Sequence, residues 1–197
     1  ERQLRTVTPD ELLGRDKVDL DIPDIAKTYA GRVVMVTGAG GSIGSELCRQ
    51  LLNCRPERIV LFEQGEFALY QIDRDLRPLA ETAGIKVTTR LGSVTNAARV
   101  ASVLADEKVD IVLHAAAYKH VHLVERNPTS SLENNVFGTA AMVNAATNTR
   151  VEKFVMISTD KAVHPTSFMG ATKRFAELIV RSAALRENNQ TKFSIVR

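Results

Sequence analysis

The chain has 197 residues, of which 44% are hydrophobic and 25% are charged, a balance typical of a globular protein with one sizeable core. The formal net charge of +3 and the lack of a dense basic stripe argue against a nucleic-acid-binding protein, although an anionic small ligand is compatible with this charge. No apolar run approaches the ~20 residues that span a bilayer, and no signal-peptide pattern opens the chain. We therefore expect no membrane contact from this chain.

The two cysteines and the two chain ends carry further expectations. Cys48 and Cys54 lie six residues apart in one predicted helix, a spacing that points them to different faces and cannot close a disulfide. We expect both to be reduced thiols in a cytoplasmic protein. The chain begins with Glu1 and stops at the apolar run KFSIVR, so we expect it to be a piece of a longer protein.

Residues 1–30 are predicted to form a polar lead-in segment. Within it, Thr8, Pro9 and Glu11 fit the N-cap, the first-turn proline and the capping-box acid of a short helix. From residue 31 the pattern changes to short apolar runs that alternate with longer amphipathic stretches. Residues 31–197 are therefore predicted to form a single domain.

Six apolar runs in this domain predict buried strands, because nearly continuous β-branched residues are what a strand covered on both faces requires. The runs are RVVMVT, RIVLF, IKVTTR, DIVLHAAA, KFVMIS and FSIVR. Helical stretches separate them, such as SIGSELCRQLLN, where Ile43, Leu47 and Leu51 form one apolar stripe. Alternation of this kind predicts an α/β fold with a doubly wound parallel sheet, a Rossmann fold, in strand order 3-2-1-4-5-6.

The loop after the first strand predicts a dinucleotide site. It opens a helix and spaces three glycines as G-x-x-G-x-x-G, which lets backbone amides approach a pyrophosphate without Cβ obstruction. A structural glycine-rich turn is the alternative. The residues predicted to bind the cofactor here are Gly38, Gly41, Ser42, Ile43 and Gly44.

Two further segments are predicted to contact the cofactor. Glu63 ends the second strand 19 residues after Gly44, close to the ~20 expected for an acid that accepts hydrogen bonds from the adenosine ribose. A carboxylate there repels a 2′-phosphate, so NAD is favoured over NADP; a solvated strand-end acid is the alternative. After the fourth strand, the small residues Ala115, Ala116 and Ala117 let the backbone pass close to the cofactor.

Four stretches occur in a fixed order: TGAGGSIGSEL, HAAAYKHV, NNVFGT and STDKAVHPTSFMGATKRFAEL. Together they resemble the extended short-chain dehydrogenase/reductase superfamily and, within it, the polysaccharide-biosynthesis group of nucleotide-sugar 4,6-dehydratases of the Ser-Met-Lys type. The resemblance implies an enzyme that uses tightly held NAD on a UDP-N-acetylglucosamine-type sugar. Hydride leaves carbon 4, water is eliminated across carbons 5 and 6, and the hydride returns to carbon 6. The product would feed surface-polysaccharide assembly.

The resemblance also bears on what lies outside the chain. In this family the C-terminal substrate lobe comes mostly from sequence beyond the sixth strand, so we expect it to be largely absent here and the chain alone to lack turnover. In many members a membrane-spanning segment precedes the catalytic part, which would place the full-length protein at the cytoplasmic face of the inner membrane. A homo-oligomer is compatible with the resemblance.

Met169 stands where the superfamily carries a tyrosine, four residues before Lys173. A thioether has no proton to exchange, so Met169 cannot be the base. We therefore assign the proton transfers to neighbouring residues at the carboxyl edge of the sheet, where ligands bind in open α/β folds. The candidate catalytic residues are Ser158, Thr159, Asp160, Lys161, Met169 and Lys173.

Each candidate receives a role. Asp160 is the general acid at the carbon-6 hydroxyl, and Lys161 is the base that removes the carbon-5 proton. Ser158 or Thr159 hydrogen-bonds the carbon-4 oxygen. Lys173 binds the nicotinamide ribose and supplies positive potential. The alternatives are a turn cap for Asp160, a surface lysine for Lys161 and core packing for the methionine.

Three positions are candidate substrate contacts, and three histidines remain. By resemblance, Asn135 shapes the active site, with an N-cap or a helix-face amide as the alternative. Tyr118 and Lys119 are candidates for the lining of the sugar pocket. His114, His120 and His122 lack the cysteine or paired carboxylate that would complete a usual zinc site, so no metal is expected. Two other functions stay open: a nucleotide-sugar epimerase, and a non-catalytic NAD-binding module.

Overall fold

The computed structural model describes residues 22–197. The helix predicted around Thr8, Pro9 and Glu11 lies outside the described residues. Within residues 22–197, no helix combines the length and the apolar character that a bilayer crossing requires.

Six parallel strands form one sheet in the order β3-β2-β1-β4-β5-β6. This confirms the predicted doubly wound fold and its strand order. The strands are β1 (Val33–Thr37), β2 (Arg58–Glu63), β3 (Lys86–Leu91), β4 (Ile111–His114), β5 (Lys153–Ile157) and β6 (Lys192–Val196).

Helices precede the sheet and connect its strands. They are α1 (Ile22–Tyr29), α2 (Ser42–Asn53), α3 (Glu66–Thr82), α4 (Ala97–Asp106), α5 (Val121–Arg126), α6 (Pro128–Ser131), α7 (Gly138–Asn148) and α8 (Phe168–Ala184). A π-helical turn (Leu132–Phe137) joins α6 to α7, and a 3₁₀ turn (Asp160–Ala162) follows β5.

Both faces of the sheet are covered, which explains the continuous apolar runs. Successive side chains of a strand point to opposite faces. Met35 accordingly packs in one core cluster, whereas Val34 and Val36 pack in the other. The central strand β1 is buried throughout, but the edge strands β3 and β6 are not. The loop that follows β1 therefore begins at the buried centre of the sheet.

Both cysteines are buried free thiols. Burial raises the pKa of Cys48 to about 12. Because the thiolate is the reactive form, this side chain is a packing residue at neutral pH.

Candidate active site

Close backbone packing shapes the glycine loop between β1 and α2. Gly38 has φ of +64°, and a Cβ added there would lie 2.9 Å from the Ala116 Cα atom. A Cβ on Gly44 would lie 2.0 Å from the Gly38 carbonyl oxygen. Gly41 is the N-cap residue of α2. Because glycine has no side chain, it cannot cap the first backbone amides of this helix. The loop is therefore tightly packed, and Gly38, Gly40 and Gly41 line a cavity beside the uncapped amides of α2.

Glu63 is bound to the same loop. Its Oε2 atom accepts a hydrogen bond of 3.1 Å from the Gly40 amide, and Oε1 accepts bonds of 2.9 Å and 3.0 Å from the Gln64 and Gly65 amides. These bonds fix the carboxylate at the end of β2. Since a carboxylate oxygen can accept more than one hydrogen bond, Glu63 keeps capacity for a ligand hydroxyl.

One cavity brings most of the predicted cofactor-binding residues together. Its lining includes Gly38, Gly41, Glu63, Ala115, Ala116 and Ala117. Tyr118, predicted as a candidate for the sugar pocket, lines this cavity as well. Sequence reasoning missed further lining residues at the ends of β2 and β3: Phe62, Gln64, Gly92 and Val94. The side-chain amide nitrogen of Gln64 donates a 3.4 Å hydrogen bond to the Tyr118 hydroxyl, which links two of the residues that line this cavity.

A second cavity continues from the first, because both are lined by Ala115 and Ala117. It contains most of the predicted catalytic residues together with Ile43 of the glycine loop. Its lining is Ile43, Ala115, Ala117, Lys119, Ile157, Ser158, Thr159, Lys161, Met169 and Lys173. We refer to the two adjoining cavities at the carboxyl edge of the sheet as the cleft. The part at the glycine loop is named the cofactor end and the part after β5 the catalytic end, after the roles predicted for their residues.

Met169 and Lys173 lie on the buried face of α8, as their i, i+4 spacing predicts. The Lys173 ammonium donates a 2.6 Å hydrogen bond to the Ile157 carbonyl oxygen. Burial lowers the pKa of Lys173 to about 8, and the negative charge of Glu177 partly opposes this shift. Lys173 is therefore anchored to the end of β5.

Asp160 and Lys161 are the most exposed candidates, with 87% and 58% of their side chains accessible. The Lys161 ammonium lies 3.7 Å from Asp160 Oδ1. The same oxygen accepts 2.9 Å hydrogen bonds from the Thr159 hydroxyl and the Lys161 amide. The Thr159 hydrogen bond and the Lys161 charge lower the pKa of Asp160, which is therefore an anion at neutral pH in this arrangement.

Glu177 was not singled out from the sequence. Its buried carboxylate accepts a 2.7 Å hydrogen bond from the Ser158 hydroxyl, and it is also bound by Arg174 and Arg197. The hydroxyl hydrogen of Ser158 is therefore committed away from the cleft. The i, i+4 spacing between Lys173 and Glu177 was the available signal, since it placed a second charge on the buried face of α8.

Asn135 lies in the π-helical turn and is 1% exposed. Its amide nitrogen donates to the Tyr118 carbonyl oxygen at 2.9 Å and to the Thr172 hydroxyl at 3.1 Å, and its oxygen accepts from the Tyr118 amide at 2.8 Å. These contacts fasten the loop after β4 to α8. Asn135 thus shapes the cleft through the backbone of Tyr118. Lys119 lines the catalytic end and lies 3.3 Å from the Ser42 hydroxyl.

His114 is buried between two threonine hydroxyls, with Nδ1 2.8 Å from Thr37 and Nε2 3.1 Å from Thr139. Thr139 uses its own hydrogen on the Asn135 carbonyl, so Nε2 is the donor and Nδ1 accepts from Thr37. Burial, followed by the charge of Lys173, lowers the pKa of His114 to about 3. The ring is therefore neutral and structural. In residues 22–197, no group of three His, Cys, Asp or Glu side chains could hold a metal ion.

The comparisons with known proteins agree with this geometry. The family model described as "Polysaccharide biosynthesis protein" matches residues 34–197. The chain is 43% identical over 196 residues to the capsular polysaccharide biosynthesis protein CapD of Staphylococcus aureus, covering 98% of this chain and 32% of that protein. It is 30% identical over 171 residues to a UDP-N-acetylglucosamine 4,6-dehydratase (inverting) of Campylobacter jejuni, covering 86% and 49% respectively.

Among solved structures, Pen from Bacillus thuringiensis superimposes with a TM-score of 0.79 at 30% identity, covering 86% of this chain and 50% of that one. The chain spans 32% and 49% of the length of these two curated relatives. The glycine loop, the paired cavities and the family match lead to one conclusion: the chain belongs to the polysaccharide biosynthesis protein family, within the extended short-chain dehydrogenase/reductase superfamily.

Proposed function

We propose that the enzyme containing this chain is a nucleotide-sugar 4,6-dehydratase that acts on a UDP-N-acetylglucosamine-type substrate in surface-polysaccharide biosynthesis. One observation carries the proposal. A single cavity beside the glycine loop collects Met169, Lys173, Thr159 and Lys161, so a proton-free thioether occupies the site's tyrosine position while a hydroxyl and two amines stand next to it.

The cofactor end of the cleft fits NAD. Gly38, Gly40 and Gly41 line the cavity at the start of α2, where a pyrophosphate would lie, and the fixed Glu63 carboxylate suits a ribose diol. NAD, when bound, supplies the redox chemistry at carbon 4. The same carboxylate disfavours the 2′-phosphate of NADP by charge repulsion. Lys173 would bind the nicotinamide ribose from the floor of the catalytic end.

The positions of the two hydroxyls favour Thr159 over Ser158 at the carbon-4 oxygen. Ser158 donates its hydrogen to Glu177 at 2.7 Å, which leaves it only as an acceptor. Thr159 donates to the exposed Asp160, a contact that an entering sugar can replace. Thr159 is therefore the hydroxyl that would donate a hydrogen bond to the oxygen on carbon 4.

The proton transfers fall to Asp160 and Lys161. Lys161 would accept the carbon-5 proton, which requires that its ammonium group first lose one. Asp160 would protonate the departing carbon-6 hydroxyl. Because its pKa is lowered while it is exposed beside Lys161, Asp160 must first gain a proton, which it would take from the carbon-4 hydroxyl as carbon 4 is oxidised. Burial beneath the sugar would raise its pKa and promote this.

An epimerase shares the oxidation at carbon 4 but eliminates no water, and an NAD-binding module performs neither step. Mass spectrometry and NMR of products from full-length enzyme and UDP-N-acetylglucosamine separate the three functions. Dehydration gives a product lighter by one water with a new 6-methyl doublet. A product of unchanged mass would support the epimerase. Retained NAD with no reduced cofactor and no product from any UDP-hexose would support the module.

A further inference from the structure

We propose that Glu177 is a positioning residue that acts through Ser158 to hold the Thr159–Lys161 turn in place at the catalytic end of the cleft. The proposal rests on the proposed function for its kinetic consequences. Its structural part stands on the contacts of α8 with the end of β5.

The Glu177 side chain is completely inaccessible to solvent. Its Oε1 atom accepts the Ser158 hydroxyl at 2.7 Å and Arg197 Nε at 2.9 Å, and Oε2 accepts Arg197 Nη2 at 2.8 Å and Arg174 Nη1 at 3.1 Å. A buried carboxylate requires such partners, because an unpaired one is strongly destabilising. Both oxygens are thus satisfied, and Ser158 is one of the donors that satisfy them.

Two successive turns of α8 fasten two consecutive residues of the chain. Lys173 binds the carbonyl oxygen of Ile157, the last residue of β5, and Glu177 binds the side chain of Ser158. Thr159 follows at once and begins the exposed turn that carries Asp160 and Lys161. That turn makes its own local hydrogen bonds, and the end of β5 from which it projects is held by α8 through these side chains and by β6 through the Ser158 amide, which donates a 2.6 Å hydrogen bond to the Val196 carbonyl oxygen. Releasing Ser158 would therefore loosen the base of the turn.

Arginine binding keeps Glu177 charged. The hydrogen bond from Arg197 is the largest influence that lowers its pKa to about 2, although burial opposes the shift. The carboxylate is therefore ionised at every pH at which the enzyme would work. An ionised acceptor binds the Ser158 hydroxyl more strongly than a neutral one. Glu177→Gln removes this charge with little change in volume.

Glu107 supplies a matched control. It is a buried glutamate held by Arg58, at 2.7 Å, and by Arg90. It caps the C-terminus of α4, and Arg58 begins β2, which places the cluster at the sheet edge opposite the cleft. Glu107→Gln therefore removes a buried charge of the same kind without touching β5.

The experiment compares Glu177→Gln, Glu107→Gln, Ser158→Ala and the double variant Glu177→Gln/Ser158→Ala in the full-length enzyme. Misplacement of catalytic groups by about 1 Å costs on the order of 100-fold in rate. We expect Glu177→Gln to lower kcat by about 10- to 100-fold per folded molecule, with KM and NAD affinity within a few-fold. The double variant should be no slower than the slower single variant, because both changes break one contact. Glu107→Gln should lower only thermal stability.

Amide hydrogen exchange of the NAD-loaded protein tests the same inference without a sugar substrate. Residues 158–162 should exchange faster in Glu177→Gln but not in Glu107→Gln. Unchanged exchange in Glu177→Gln would overturn the proposal even if the substrate proved to be something else. Wild-type kcat in Glu177→Gln, or independent multiplicative losses in the double variant, would also overturn it. A wild-type enzyme that forms no dehydrated product would contradict the proposed function instead.

Discussion

The two ends of the cleft are organised differently. At the cofactor end, the closely packed backbone of the glycine loop and of Ala116 contributes to the walls, and three amides fix Glu63. At the catalytic end, Asp160 and Lys161 project into solvent with each other as their nearest opposite charge. The difference indicates that the cofactor end is formed by packing within the described residues, whereas the catalytic end is fixed only at its base. A bound sugar or further chain would have to cover it.

The largest expected effect is a loss of kcat from substitutions at the catalytic end of the cleft. In the full-length enzyme, Lys161→Ala or Asp160→Asn should lower kcat by about 10²- to 10⁴-fold, the range for loss of a placed proton-transfer group. NAD affinity should stay within a few-fold, because neither side chain lines the cofactor end. Steady-state kinetics and calorimetric titration with NAD measure the two quantities. Lys192→Ala, an exposed lysine that begins β6, is the control, and its kcat should match the wild type.

An intermediate effect, on NAD affinity, is expected from a substitution at the cofactor end of the cleft. An alanine Cβ at Gly44 would lie 2.0 Å from the Gly38 carbonyl oxygen, so the loop must shift. Overpacking of this kind costs about 1–3 kcal/mol, and NAD binding should weaken accordingly. Gly65→Ala, next to the lining residue Gln64, is the control, because its Cβ would meet only ordinary contacts at 3.6 Å and 3.7 Å. Equal NAD affinity in both variants would show that loop packing does not shape the site.

The smallest effect concerns cofactor choice. Glu63→Gln removes the charge that opposes a 2′-phosphate but keeps a hydrogen-bonding side chain. We expect the preference for NAD over NADP to narrow by about tenfold, which corresponds to about 1.4 kcal/mol. Titration of both cofactors into wild type and variant measures this preference. An unchanged ratio of NAD affinity to NADP affinity would show that the Glu63 charge does not select the cofactor.

Sequence patterns predicted the parts of the molecule that depend on local order. The apolar runs gave the six strands, and the glycine spacing located the loop that packs against Ala116. The partners of Glu177 were not predictable, because Ser158 and Arg197 approach it from β5 and the end of β6 only once the sheet has formed. For the same reason, the sequence could not decide whether Ser158 or Thr159 would hydrogen-bond the carbon-4 oxygen. The π-helical turn that directs Asn135 toward Tyr118 also had no local signal.

We propose that proton transfer passes through Asp160 and Lys161 beside a chemically inert Met169. Single-turnover absorbance of the reduced nicotinamide in Lys161→Ala full-length enzyme separates the oxidation from the proton transfer assigned to Lys161. We predict that UDP-N-acetylglucosamine produces reduced cofactor that persists without a dehydrated product, because oxidation at carbon 4 precedes the step that needs Lys161. Reduced cofactor that decays at the wild-type rate as dehydrated product forms would contradict the claim.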